Sequence, residues 1–234
     1  MKAERANRDH LLKRSTKPRS GNRLFADASI ETVGDLLLRL GGIPANRVRM
    51  NPHPGAATER DLIRANAEKV SICELVDGTL VEKAPGVSES RIAALLIHYL
   101  LAYVLDKNLG VVLGEGGTLR IAPGLVRAPD VSFISNERLP KDGLEGAPFP
   151  TAAPDLAVEV LSKSNTKREI TRKLNEYFQA GVKIAWVIDP KKKNVLVYHS
   201  SDTFTTLGRD QTLDGEEVLP GFRLDIAKLF VGSK

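Results

Sequence analysis

The sequence predicts an α/β fold, a mixed β-sheet flanked by helices with an N-terminal helical extension. Three observations predict it. The apolar run Leu156–Leu161 is followed by a helical pattern and then by a second apolar run, Lys183–Ile188, the strand–helix–strand order of an α/β core. Short apolar segments joined by turn residues lie on both sides of this unit, as in antiparallel pairs. The longest helical pattern, Ser88–Leu105, sets Ile92, Leu95, Leu96, Tyr99 and Tyr103 on one face.

Taken in order, residues 1–28 read as a disordered basic tail. Residues 1–23 carry eight Lys or Arg against Glu4 and Asp9, so the tail alone accounts for the chain's net charge of +5. Such a tail can hold DNA phosphates by counterion release or remain a solvated extension without a partner. Residues 29–69 read as a helical extension with a Pro-rich loop. Ile30–Leu40 has helical spacing and stops at Gly41-Gly42, Pro44 to Gly55 holds three prolines, and Thr58 is placed to cap a short helix. Residues 70–234 form the main domain. It opens on a hairpin, Ile72–Val76 and Leu80–Lys83, about an Asp77-Gly78 turn. Val111–Leu113, Thr118–Ile121 and Val131–Ile134 read as strands, and Asp142–Pro154 as a loop. Asn165 or Thr166 is placed to cap a helix that runs to Ala180 and is ended by Gly181. Val195–Tyr198 and Thr203–Leu207 form a hairpin pair, and Asp225–Phe230 a terminal helix.

Composition excludes several classes. One cysteine, Cys73, allows neither an internal disulfide nor a Cys-based zinc cluster. The unbroken apolar runs fall far short of the ~20 residues of a membrane span, and the basic start lacks an apolar signal core. The expectation is a cytoplasmic protein without a membrane partner. His53 and His98 lack metal-ligand spacing. Gly114-Glu-Gly-Gly reads as a turn, because no helix follows to present its N-terminus to a phosphate.

Glu159 stands out. It interrupts Asp-Leu-Ala-Val-Glu-Val-Leu, otherwise a buried strand, and a buried carboxylate demands a compensating cation, basic side chain or metal. Asp130 heads another short strand. Either acid alone reads as half of a salt bridge, whereas the two together suit a hard divalent cation, Mg²⁺ or Mn²⁺. On the helix after Glu159, Ile170, Leu174 and Tyr177 or Phe178 face the sheet, and Lys173 borders that inward face. Lys173 can therefore extend toward the strand ends or belong to a solvated basic face.

At these residues the chain resembles the Uma2 family, a branch of the PD-(D/E)XK nuclease superfamily with a restriction endonuclease-like core. The matching segments are Cys73-Glu-Leu-Val-Asp-Gly-Thr-Leu-Val-Glu, Val126-Arg-Ala-Pro-Asp-Val-Ser-Phe, Pro154-Asp-Leu-Ala-Val-Glu-Val-Leu-Ser, Lys173-Leu-Asn-Glu-Tyr-Phe-Gln-Ala-Gly-Val and Trp186-Val-Ile-Asp-Pro. The resemblance implies Mg²⁺ or Mn²⁺ held by Asp130, Glu159 and the Val160 backbone carbonyl, with Lys173 as the catalytic lysine, DNA as substrate and a homodimer that cuts both strands. The usual Glu-x-Lys is absent, since residue 161 is Leu, and Lys173 takes the lysine's place from the following helix. Glu89 stands where the family often has His, and is either a further acidic ligand or a helix-start residue favoured by the macrodipole. Glu169 stands where the family often has Asp. The expected activity is metal-dependent hydrolysis of DNA. The alternatives are an inactive nucleic-acid or protein-binding module on the same fold, and a hydrolase of small phosphate esters.

Overall fold

The computed structural model describes residues 30–68, 71–83, 86–141, 143–144 and 147–232. The basic tail expected at residues 1–28 lies outside them.

A six-stranded sheet forms the centre. Its strands are β3 (Gly110–Gly114), β6 (Val131–Ser135), β7 (Leu156–Val160), β8 (Ile184–Asp189), β9 (Asn194–Tyr198) and β10 (Phe204–Leu207), in the order β10-β9-β8-β7-β6-β3. Only β7 and β8 run parallel. A parallel pair needs a crossover, here the helix α4 (Lys167–Gln179). The Thr166 hydroxyl accepts from the Glu169 backbone N–H and starts α4.

Helix α3 (Val87–Lys107) covers one face of this sheet. Its Ile92, Leu96, Leu100 and Val104 join Val131, Phe133, Leu156, Val158, Val160, Trp186 and Ile188 in the largest core. By length and composition alone α3 is long and apolar enough to cross a bilayer. Polar residues break its apolar runs, and its Ile92, Leu96, Leu100 and Val104 are buried against the sheet. Helix α4 covers the opposite face, where Ile170 and Leu174 pack on Ala185 and Val187.

A four-stranded antiparallel sheet stands beside it, in the order β2-β1-β5-β4: β1 (Cys73–Val76), β2 (Thr79–Glu82), β4 (Leu119–Ala122) and β5 (Leu125–Arg127). Asp77 and Gly78 both take positive φ, 49° and 65°, as the two-residue turn between β1 and β2 requires. The N-terminal segment packs on this sheet. From α1 (Val33–Arg39) and the turn after it, Leu36, Leu40 and Ile43 meet Val76 and Val81. From α2 (Glu59–Ala67), Leu62 and Ala65 meet Cys73, Leu75 and Val126. Cys73 is buried, and burial pushes its thiol pKa up.

Three strands differ from the sequence reading. β5 was not expected. Nor was the small pair β11 (Thr212–Asp214) and β12 (Arg223–Asp225), which precedes a 3₁₀ turn at Ile226–Phe230 where a helix from Asp225 was expected. Each of the three spans three residues, too few to display a period of two.

Candidate active site

Alternation along β7 decides where Glu159 points. Leu156, Val158 and Val160 belong to the α3 side, whereas Ala157 packs with Tyr177 of α4. Glu159 shares the Ala157 face. The antiparallel register pairs Val131 with Val158 and Ser132 with Ala157. Asp130, at the bend just before β6, lies beside the Val158–Val160 end of β7. Asp130 N–H donates to the Val158 carbonyl at 3.0 Å, and Val160 N–H donates to Asp130 Oδ2 at 2.6 Å. Two acids far apart in sequence thus become neighbours at one end of the sheet.

Lys173 reaches the same place from α4. It is 2 % exposed, so the solvated-face reading does not describe it. Its Nζ donates to both Glu159 oxygens, at 3.0 and 2.9 Å, and the Tyr177 hydroxyl donates to Glu159 Oε1. Burial pushes the Glu159 pKa upward, Lys173 pulls it back, and the charge on Asp130 adds to the rise. Burial works against the Lys173 ammonium, but Glu159 and Glu74 outweigh it and hold its pKa above the ordinary lysine value. Burial beside Glu159 and Glu74 keeps the Tyr177 hydroxyl protonated, well above its usual range.

A further set of residues completes the network. Glu74 on β1 lies 3.3 Å from Lys173 Nζ, accepts from Arg127 at 2.7 Å and accepts the Ala128 N–H at 3.1 Å. Burial alone would raise its pKa, yet Lys173 and Arg127 hold it far below the usual carboxylate range. Arg127 also binds Glu176 of α4, and its pKa stands well above normal because Glu176 and Glu74 overcome the penalty of burial. Lys83, just past β2, donates to Asp130 Oδ1 at 2.7 Å and to the Ala128 carbonyl. Sequence reasoning assigned none of Glu74, Arg127, Lys83 and Tyr177 a role at the site. Glu74 carried the same signal as Glu159, a lone acid in a short apolar strand.

These groups open on a cleft of about 1090 Å³ whose lining includes Lys83, Glu89, Glu115, Asp130, Glu159 and Lys173. Val160 also borders it. Glu89 folds back over Gly86 at the start of α3, so close that a Cβ on Gly86 would lie 2.0 Å from its carboxylate. It therefore sits at the helix-start position while still facing the cleft. Glu115, in the turn set aside from sequence, approaches Lys83 at 3.8 Å. Glu169 does not face the reacting groups. It is buried in a two-point ion pair with Arg47 of the N-terminal segment, at 3.1 and 2.8 Å.

Among the described residues no three His, Cys, Asp or Glu side chains form a ready-made metal cage. The donor chemistry nevertheless fits Mg²⁺ or Mn²⁺. Both are hard cations that take one or two carboxylates and keep several waters, and Asp130 and Glu159 offer two adjacent carboxylates at the cleft. Both acids are charge-compensated by ammonium groups, Lys83 on Asp130 and Lys173 on Glu159, as carboxylates withdrawn from water require.

The Uma2 family model, described as "Putative restriction endonuclease", matches residues 62–227, well over half of the chain. The chain belongs to the Uma2 family. Among solved structures, this Uma2 chain is similar to "a putative nuclease belonging to DUF820" from Anabaena variabilis ATCC 29413. The two are 22 % identical, the match covers 68 % of this chain and 90 % of that one, and the TM-score is 0.61. The likeness extends to the fold. No curated protein matches the chain. The Uma2 match starts inside α2, so α1, Gly41 and Arg47 lie outside it.

Proposed function

We propose that this Uma2 protein is a divalent-metal-dependent nuclease that hydrolyses DNA phosphodiester bonds. The observation that supports the reading is one cleft lined by Asp130, which accepts the Val160 N–H, by Glu159, and by Lys173, which donates to Glu159. The family description and the nuclease-named structural neighbour support it.

Asp130, Glu159 and the Val160 carbonyl are the groups to hold Mg²⁺ or Mn²⁺. When bound, the ion supplies a Lewis acid for the scissile phosphate and lowers the pKa of a water. The Val160 N–H fixes the orientation of Asp130. Tyr177 and Lys173 fix Glu159, so the ligand pair is set before substrate arrives. Lys173 places a positive charge where negative charge grows on the phosphate, and Glu74, itself held by Arg127, helps to keep that lysine in place. Glu89 faces the same cleft as a further acidic group. Cutting both strands of a duplex goes with a homodimer, which sedimentation of the full chain checks.

The decisive test is cleavage of supercoiled plasmid with Mg²⁺, with Mn²⁺ and with EDTA. Single-stranded DNA, RNA and a small phosphodiester serve as parallel substrates. Asp130→Asn and Glu159→Gln each lower the metal-dependent rate by at least about 100-fold, on the scale of losing a group that stabilises the transition state, with the circular dichroism spectrum unchanged. Full cleavage by both variants overturns the assignment. One observation favours a second reading, a binding module without catalysis: each acid already has its own lysine. That reading expects DNA binding with no Mn²⁺ uptake by calorimetry.

A further inference from the structure

Lys83 is a charged group at the cleft for which the reaction above has no use. It is 9 % exposed and reaches Asp130 from the end of β2. Of its three N–H donors, one goes to the Ala128 carbonyl and one to Asp130 Oδ1 at 2.7 Å. Glu115 stands 3.8 Å away on the cleft side. Asp130 Oδ2 is meanwhile taken by the Val160 N–H. Both Asp130 oxygens thus already accept a hydrogen bond, and a cation that coordinates Oδ1 would meet the Lys83 ammonium there.

An ammonium and a dication cannot share that oxygen without strong repulsion, since both charges would lie within a few ångströms in a partly buried site. We infer that Lys83 is an exchangeable counter-cation. It neutralises Asp130 while the site is metal-free, must leave Asp130 when a divalent ion binds, and so sets the affinity of the site for that ion. Lys83 is a positioning residue by this reading, which rests on the assignment of Asp130 as a metal ligand. The neighbouring carboxylates make the device useful. Without a cation at this point Asp130, Glu115 and Glu159 would repel one another in the free protein.

The test is direct Mn²⁺ binding by the full chain without DNA, read by calorimetry and by the electron paramagnetic resonance of free Mn²⁺. Lys83→Gln keeps an N–H for the Ala128 carbonyl and removes the charge. Its Mn²⁺ Kd falls at least about tenfold below wild type, the order expected when a unit charge beside a dication is removed. Lys83→Arg keeps the charge and binds Mn²⁺ no more tightly than wild type. Melting curves give a second readout: Lys83→Gln melts lower than wild type without metal and gains more from Mn²⁺. An unchanged or weaker Kd in folded Lys83→Gln overturns the inference, and it spares the nuclease reading if Glu159→Gln still abolishes Mn²⁺ binding. Tighter binding by Lys83→Gln, with no DNA cleavage by wild type, upholds the inference and sinks the nuclease reading. Absence of binding in wild type and variant alike overturns both.

Discussion

Glu159 illustrates how one misplaced residue type organises its surroundings. A carboxylate in the middle of a buried strand is tolerated only when its charge is met, and here the partners are the Lys173 ammonium and the Tyr177 hydroxyl. The two make unequal contributions. Tyr177→Phe keeps the ring in its packed position and removes one hydrogen bond to a buried charge, a loss of about 1.5–3 kcal/mol. Lys173→Met leaves two buried acids, Glu159 and Glu74, short of a cation, and costs about 3–5 kcal/mol. Urea unfolding at neutral pH measures both. A Lys173→Met protein as stable as wild type would mean that the network does not depend on this lysine. The sequence placed Lys173 at the border of the inward face, because helical spacing fixes direction to within a residue. It could not place Glu74, since nothing in β1 alone says which distant cation will meet that acid.

At the scale of elements, the position of α4 decides where Lys173 points, and a segment outside the Uma2 match helps to fix α4. Arg47 binds Glu169 one turn before Lys173, and the Thr166 hydroxyl donates to the Gly41 carbonyl. The backbone at Gly41 passes so close that a Cβ there would lie 2.7 Å from the Glu169 Cα, and its φ is +96°. Gly42 also has positive φ, at +71°, but a Cβ there meets nothing within 4 Å. The two glycines form an internal control. Gly42→Ala bears only backbone strain of about 1–3 kcal/mol, whereas Gly41→Ala adds a clash with the start of α4. Gly41→Ala should therefore be the less stable variant and the one with a lower cleavage rate. Equal melting temperatures would show that the segment does not seat α4. Most elements near the site were legible in local pattern: the Asp77-Gly78 hairpin, the Thr166 cap, and the strands that hold Asp130 and Glu159. β5 was not, although Pro123-Gly124 marks the turn before it. Its three residues become a strand by pairing with β1 and β4, and such pairing is a tertiary fact rather than a propensity.

For the whole molecule, the site is where two sheets and two helices meet, and charge holds them there. The end of β5 and the short link from it to β6 carry Arg127, Ala128 and Asp130. They tie Glu74 of the smaller sheet to Val160 on β7 of the larger one. The local settings of Asp130, Glu159 and Lys173, two acids on short strands and a lysine at the border of an inward helix face, were readable in the sequence. Lys83, Arg127 and Arg47 were not, because their partners lie 47, 53 and 122 residues away. The same wiring predicts acid sensitivity. Glu74, Asp77, Asp155 and Glu169 all have folded pKa values below their ordinary ones, with burial outweighed in each case by nearby cations or hydrogen bonds. A lowered folded pKa means that the unfolded chain binds protons more readily. The stability these acids contribute is therefore complete above their unfolded pKa values of about 4 and drains away below them. Glu159 has the opposite sign, since its raised pKa favours the folded state as it protonates, but it is one group against four. Urea unfolding from pH 7 to pH 3 should show steady stability at the upper end and a steep loss once the pH falls below the ordinary carboxylate range. Glu74→Gln lowers the plateau and flattens the loss, because the variant lacks one of the acids whose pKa folding lowers. A stability that stays level down to pH 3 would mean that the buried pairs are not what joins the two sheets.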